Sequence, residues 1–401
     1  MKHIFLPLGL ALAVMGVDVR AEDWPRWRGP NLNGISGEKG WSSNWSAAGP
    51  RVLWKANVGL GNSSFVVASG RAYTQGNKNN QDIIYCFDAA SGRELWKHSY
   101  PEDKGARAYQ GGTNATPTVD GQAVYTVSKS GLVHCLDAAK GTVSWKANVL
   151  QLVGSKPPSW GIGSSPLVLG NLLILNAGPS GVALDKRTGR LVWGNRGSDL
   201  AGYATPTPYR TGNAIALAIF NQNGAVGVNA ANGQVLWKYP WKTRYDVNAA
   251  DLIISGQTLF LSSGYGTGAA LVQFTANGFK SVWQHKDLRA QFNTPVLING
   301  HLYGIDDNAR RFTLKCVELA TGRVKWKGDN ISAVTAADGK LICQGETGEL
   351  FIVAADPSAY KKLAEARPFR TVSWATPVLA NGRIYCRGGD GQVVCLDVTG
   401  K

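Results

Sequence analysis

Residues 115–145 decide the fold. They open with Ala115-Thr116-Pro117-Thr118-Val119-Asp120-Gly121 and run through Val124-Tyr125-Thr126 to Gly131. They close with Cys135-Leu136-Asp137, Gly141 and Trp145. Pro and the Asp-Gly pair make turns. The alternating apolar residues between them predict half-buried strands. The Asp137 side chain can bond backbone two residues on, and Gly141 tolerates a positive φ. The closing Trp buries a large area between neighbouring sheets.

The unit returns along the 401-residue chain. The last copy reads Ala375-Thr376-Pro377-Val378, Asn381-Gly382, Ile384-Tyr385-Cys386, Gly391, Cys395-Leu396-Asp397 and Gly400. An interval of eight residues joins Asp88 to Trp96, Asp137 to Trp145, Asp185 to Trp193, Asn229 to Trp237 and Glu318 to Trp326. The fifth unit, around Phe274, Gly278 and Trp283, carries one extra residue. The seventh has Ala355-Asp356-Pro357 but no Trp after it. Four strands in roughly 40–50 residues make a propeller blade, not a helical repeat. Inner strands are expected to start at Ser64, Thr116, Ser165, Thr205, Ala249, Thr294, Ala333 and Thr376. The fold class is therefore all-β: an eight-bladed β-propeller of four-stranded antiparallel blades.

The eighth unit ends without an outer strand. Arg51-Val52-Leu53-Trp54-Lys55 stands ahead of the first inner strand with no unit of its own. It is expected to pair onto the last unit and close the ring, which also removes open sheet edges. The blade tryptophans are then Trp54, Trp96, Trp145, Trp193, Trp237, Trp283 and Trp326. Residues 1–21 read as a signal peptide: a short polar start, an apolar run from Ile4 to Val17, and Val19-Arg20-Ala21 as a small-x-Ala cleavage site. Residues 22–50, with Trp24, Trp27, Trp41 and Trp45, are too aromatic for a disordered linker. They form an arm along the ring or a hook for a partner. The propeller is assigned to 51–401.

Composition supports this reading. Glycine contributes 49 residues and charged residues only 17%. Long solvated helices and acidic tails are excluded. The formal net charge is +15, scattered rather than in runs. That reads either as a solvated basic surface or as attraction to an anionic envelope component as partner, while no nucleic-acid motif is present. No stretch is long and apolar enough for a transmembrane segment. No cysteine precedes Cys86, so no lipid-attachment cysteine follows the signal. The six cysteines show no metal-binding spacing. If Asp390-Gly391 is a two-residue hairpin turn, Cys386 and Cys395 face each other and a disulfide is possible in an oxidising compartment.

The units, above all Leu136-Asp137-Ala138-Ala139-Lys140-Gly141 through Trp145, resemble the pyrroloquinoline quinone (PQQ)-like repeat of the quinoprotein alcohol dehydrogenase-like superfamily. The opening Asp23-Trp24-Pro25-Arg26-Trp27-Arg28-Gly29-Pro30-Asn31 looks like the start of a branch of bacterial exported propellers. The resemblance implies one of two roles. One is a dehydrogenase holding PQQ and a calcium ion over the central channel. The other is a non-enzymatic scaffold, as in the propeller lipoprotein of the outer-membrane β-barrel assembly machinery. Superfolds host unrelated activities, so the fold does not choose.

The residues favour the scaffold. The adjacent cysteine pair of such dehydrogenases is absent. Calcium wants six to eight oxygen ligands including carboxylates, and Asp246 is nearly the only acid in the loops entering the inner strands. No catalytic residue and no metal ligand is assigned, and PQQ with calcium is kept as the alternative cofactor pair. The same loops offer Tyr109, Asn114, Trp160, Tyr203, Asp246, Asn248, Arg289, Asn293 and Trp374, with Phe292, as a rim. Flat aromatics and amides suit a planar ligand, a sugar or a peptide. The chain is therefore expected to be a periplasmic or secreted scaffold that binds a protein partner or an envelope component, with a glycan-binding module as a further alternative.

Overall fold

The computed structural model describes residues 21–46, 48–107, 109–308 and 311–400. All but the last residue of the expected signal peptide lies outside them. Eight four-stranded antiparallel sheets follow one another in chain order. Blade 1 is Val66–Ala68, Arg71–Lys78, Gln81–Asp88 and Glu94–Pro101. Blades 2 to 7 begin at inner strands Thr118–Asp120, Leu167–Leu169, Thr207–Thr211, Ile253–Ser255, Val296–Ile298 and Ile331–Ala337. Blade 8 is Val378–Ala380, Arg383–Arg387 and Gln392–Asp397, and its outer strand is Val52–Asn57. The closing pair is antiparallel, with Trp54 opposite Cys395 and Lys55 opposite Val394. The N-terminal strand closes the ring as the repeat arithmetic requires.

The eight-residue interval has a packing reason. The Asp carboxylate accepts from backbone in its own turn, as from Ala139 and Lys140 onto Asp137. This presents the carbonyl of the next residue to the preceding blade. The preceding Trp donates its indole N–H there: Trp54 to Ala89, Trp96 to Ala138, Trp145 to Lys186 and Trp193 to Ala230, at 2.9–3.1 Å. Trp283 does the same onto Leu319, and Trp326 donates one residue further on, to Asp356 O. The turn glycine lies flat under the ring. At Gly141, φ is +72°, and a Cβ there would stand 2.5 Å from Trp96. Trp237 is the exception. The fifth unit's tight turn pairs Thr275 with Gly278, and the Trp237 donor goes to the Tyr209 hydroxyl instead.

The Thr of the small-Thr-Pro motif does more than start a strand. Ser64 N donates to Thr116 Oγ1, Thr116 N to Ser165 Oγ, and Ser165 N to Thr205 Oγ1, at 2.9–3.0 Å. Thr205 N donates to Asp251 Oδ1 and Asp251 N to Thr294 Oγ1, both at 2.7 Å. Each blade caps its neighbour's first amide, so a belt of side chains links six blades around the channel. In blade 5 the belt residue is Asp251, two positions beyond the expected start at Ala249.

The arm 22–46 crosses the face formed by the turns between first and second strands. Trp24 bridges to Val67 of blade 1, and Pro25 O accepts from Val119 N of blade 2. Trp27 donates to Asp251 at 2.7 Å. Arg28 donates to the carbonyls of Thr294 and Pro295 at 3.0 Å and stands 3.9 Å from Asp251. Ile35–Ser36 adds a parallel strand to blade 7. Glu38, buried, accepts from the blade 8 amides of Asn381 and Gly382. Trp41 is 2% exposed and packs with Ile352, Leu379 and Leu396 between blades 7 and 8. Ala364 occupies the register position of the blade Trp in unit seven and packs against this same cluster. The arm thus supplies the indole that the seventh unit lacks.

The expected Cys386–Cys395 pairing is overturned by register. The blade 8 hairpin turns over three residues, with Gly388 N donating to Gln392 O. Cys395 then faces Tyr385, and Cys386 faces Val394. The two thiols lie on opposite faces of the sheet, in the clusters toward blades 7 and 1 respectively. All six cysteines are buried and free.

Candidate functional site

The loops into the inner strands and the turns between second and third strands share one face of the disc, opposite the arm. At its centre the aromatic rim residues meet. Tyr109, from the loop into blade 2, lies 6.1 Å from the Trp160 ring and 6.2 Å from Trp374. Trp374 lies 5.4 Å from Phe292. The Tyr203 hydroxyl accepts from Trp160 N at 3.3 Å, and Asn114 donates to the Tyr109 hydroxyl at 3.2 Å. Burial pushes the Tyr203 phenol up to about 12. Loops from blades 2, 3, 4, 6 and 8 therefore converge on one interlocked cluster over the channel.

Sequence reasoning missed the cation in this cluster. Lys129, in the second turn of blade 2, is 8% exposed. Its ammonium donates to the Tyr109 hydroxyl at 2.7 Å and to Lys104 O at 2.9 Å. Gly161 packs against its stem.

Three polar candidates are structural. Asn248 is fully buried. It donates to Asn221 O and Trp241 O and accepts from the Ser263 hydroxyl. Asn293 donates to Ser332 O and accepts from Thr376. Arg289 is held in a two-pronged pair by Asp306 at 2.7 Å, which raises the guanidinium further. Burial alone would raise the Asp306 carboxyl. The bonds from Arg289 and Lys315 outweigh that and leave it below its ordinary value.

Asp246 is exposed, and its loop is strained. Tyr245 and Asp246 hold φ of +70° and +56°, and Tyr265 across from them +55°. Such conformations are costly for residues with a side chain and cluster at functional sites. Tyr245 is 57% and Tyr265 41% exposed. Their rings meet edge to face at 5.3 Å, and the Arg244 guanidinium lies 4.9 Å over Tyr245. The Gly264-Tyr265-Gly266 turn was the available signal for this second aromatic group.

The donor set does not fit PQQ over a calcium ion. Asn248 and Asn293 have spent their bonds within the scaffold, Arg289 is committed to Asp306, and Asp246, close enough to the Tyr203 phenol to raise it, is the one carboxylate among the rim candidates. Among the described residues no three His, Cys, Asp or Glu side chains come together to hold a metal ion. His134 is buried between His98 and Tyr100, with burial pushing it down to about 4.

A family model described as outer membrane protein assembly factor BamB matches residues 79–328. The chain belongs to this family of PQQ-like-repeat propellers. No curated protein matches the sequence significantly. Among solved structures, BamB from Moraxella catarrhalis is 13% identical with a TM-score of 0.63, covering 87% of this chain and 98% of its own. Quinohemoprotein alcohol dehydrogenase from Comamonas testosteroni is 14% identical with a TM-score of 0.67, covering 96% and 82%. A europium-containing methanol dehydrogenase is 12% identical at 0.66, covering 94% and 89%. At such identities the likeness shows the fold alone, and it spans both BamB and the dehydrogenases. No helix of the described residues is long and apolar enough to cross a membrane.

Proposed function

We propose that this chain is an exported, non-catalytic propeller that presents its loop face to a protein of the cell envelope. The observation that carries this reading is the Arg244, Tyr245 and Tyr265 group. It combines exposed aromatics, a cation and backbone strain on the face the arm leaves open. Tyr and Arg dominate binding hot spots, and holding them in costly conformations preorganises a contact. The polar groups that a quinoprotein would need are spent on the scaffold, which supports binding over redox chemistry. The test is a benzophenone amino acid placed at position 245, irradiated in envelope extract. A discrete adduct that disappears with Arg244→Glu is expected. No adduct from position 245 or 265 contradicts the reading.

One observation favours a second reading, a glycan module. The Trp374 indole N–H is buried without a partner, beside rings suited to stack on a sugar. Loss of binding on a glycan array by Trp160→Ala and Trp374→Ala variants supports it. Variants that behave like the parent assign those rings to the scaffold.

A further inference from the structure

Every outer strand carries a β-bulge at the residue before its Trp position, and that residue is left out of the ladder. In blades 3, 4 and 5 the skipped residues are Val192, Leu236 and Val282. A bulge re-aims its side chain, and these three are 48%, 43% and 46% exposed. The corresponding residues in blades 2 and 6 are Ser144 and Lys325. Leu191 and Val235 stand exposed on the same outer strands as Val192 and Leu236. Half of the ten exposed large aliphatics among the described residues thus gather on the outer strands of three consecutive blades.

The charge of this crescent is one-sided in blades 4 and 5. Between residues 200 and 286 the only acids are Asp246, on the loop face, and Asp251, buried against Arg28. Arg190, Lys238 and Lys280 are exposed on or next to these outer strands. None has a carboxylate within ion-pair distance, although such pairs occur elsewhere on the rim, as between Lys97 and Glu94. Lys and Arg on an edge strand can serve simply to keep sheets apart. That role calls for no aliphatics among them. A surface that is apolar and cationic together, whose one blade 3 acid, Asp185, is bonded into its own turn by Arg187 N and Thr188 N, matches the boundary of an anionic bilayer. There, side chains enter the headgroup region while Lys and Arg meet phosphates.

We infer that the outer edge of blades 3–5 docks the disc edge-on against an anionic lipid leaflet. The inference stands apart from the loop face, which this orientation leaves free for a partner. Each cation near such a surface contributes about fivefold in partitioning.

The experiment is co-sedimentation of the full chain with vesicles of equal phosphatidylglycerol and phosphatidylcholine, and with phosphatidylcholine alone. Binding is expected only with phosphatidylglycerol. Lys238→Glu with Lys280→Glu is expected to weaken it by about twentyfold or more. The Val192→Ser, Leu236→Ser, Val282→Ser triple variant is expected to weaken it about tenfold. Lys55→Glu with Arg93→Glu, the same charge change on blades 8 and 1, should leave it within about twofold. Melting temperatures establish that each variant is folded. Absence of binding to phosphatidylglycerol, or equal losses in the two charge-reversal pairs, overturns the inference.

Discussion

Trp41→Ala tests whether the arm completes the seventh blade. The ring is buried at the seam of blades 7 and 8, against Ile352, Leu379, Leu396 and Val398. Lys340 lies 4.6 Å over its face. Truncating a buried Trp costs about 3–5 kcal/mol. Two features place Trp41 at the low end. Its indole N–H has no partner, so no hydrogen bond is lost. The cation–π contact contributes only about 0.5–1 kcal/mol. We expect a loss of about 3 kcal/mol. Trp96→Ala, which also strands the Ala138 carbonyl that its N–H caps at 3.0 Å, should cost about 1 kcal/mol more. Repeat arrays need not unfold in one step, so the assay is local hydrogen exchange alongside urea denaturation. Exchange in Trp41→Ala should rise in Leu350–Ala354 and Gln392–Asp397, and stay unchanged in blades 3 and 4. A variant as stable as the parent, or exchange that rises evenly around the ring, would refute the reasoning.

Other expectations follow from buried charge and from register. Asp251→Ala leaves Arg28 buried without its carboxylate and frees the Trp27 and Thr205 donors, so urea denaturation should show a loss of about 3–5 kcal/mol. Asp82, buried beside Asn77 and Tyr100, is pushed up by burial to about 7. Its folded value lies above its unfolded one, so the unfolded chain releases the proton first and stability falls as pH rises from about 4 to 7. Asp82→Asn should remove that fall, worth at most about 4 kcal/mol. Melting curves should then diverge at pH 8 and coincide at pH 4. Thiol titration of the denatured, unreduced protein should find six thiols, since all six cysteines are free. A count of four would show one disulfide and contradict this.

The repeat was legible because its parts have local causes. Turn chemistry, strand alternation and the Asp-to-Trp interval each sit within one unit, and the missing outer strand named its own replacement. What the sequence hid depends on neighbours. The Thr116 hydroxyl serves blade 1, a partner 52 residues away in the chain. The blade 8 hairpin takes three turn residues rather than two, as the blade 2 hairpin does, with Gly388 N donating to Gln392 O and Ser128 N to Leu132 O. One added residue moves Cys386 to the other face. Asn248 and Asn293 look like ligands in a loop, and only their partners reveal them as braces. Conversely, Tyr245 gains meaning from its positive φ, which no residue pattern announces.

The central claim is that the loop face binds a partner and not a redox cofactor. Calorimetric titration of PQQ with calcium into residues 22–401 tests it most directly. The account predicts no saturable heat and no shift in melting temperature. Saturable one-to-one binding, lost on Asp246→Ala, would contradict it.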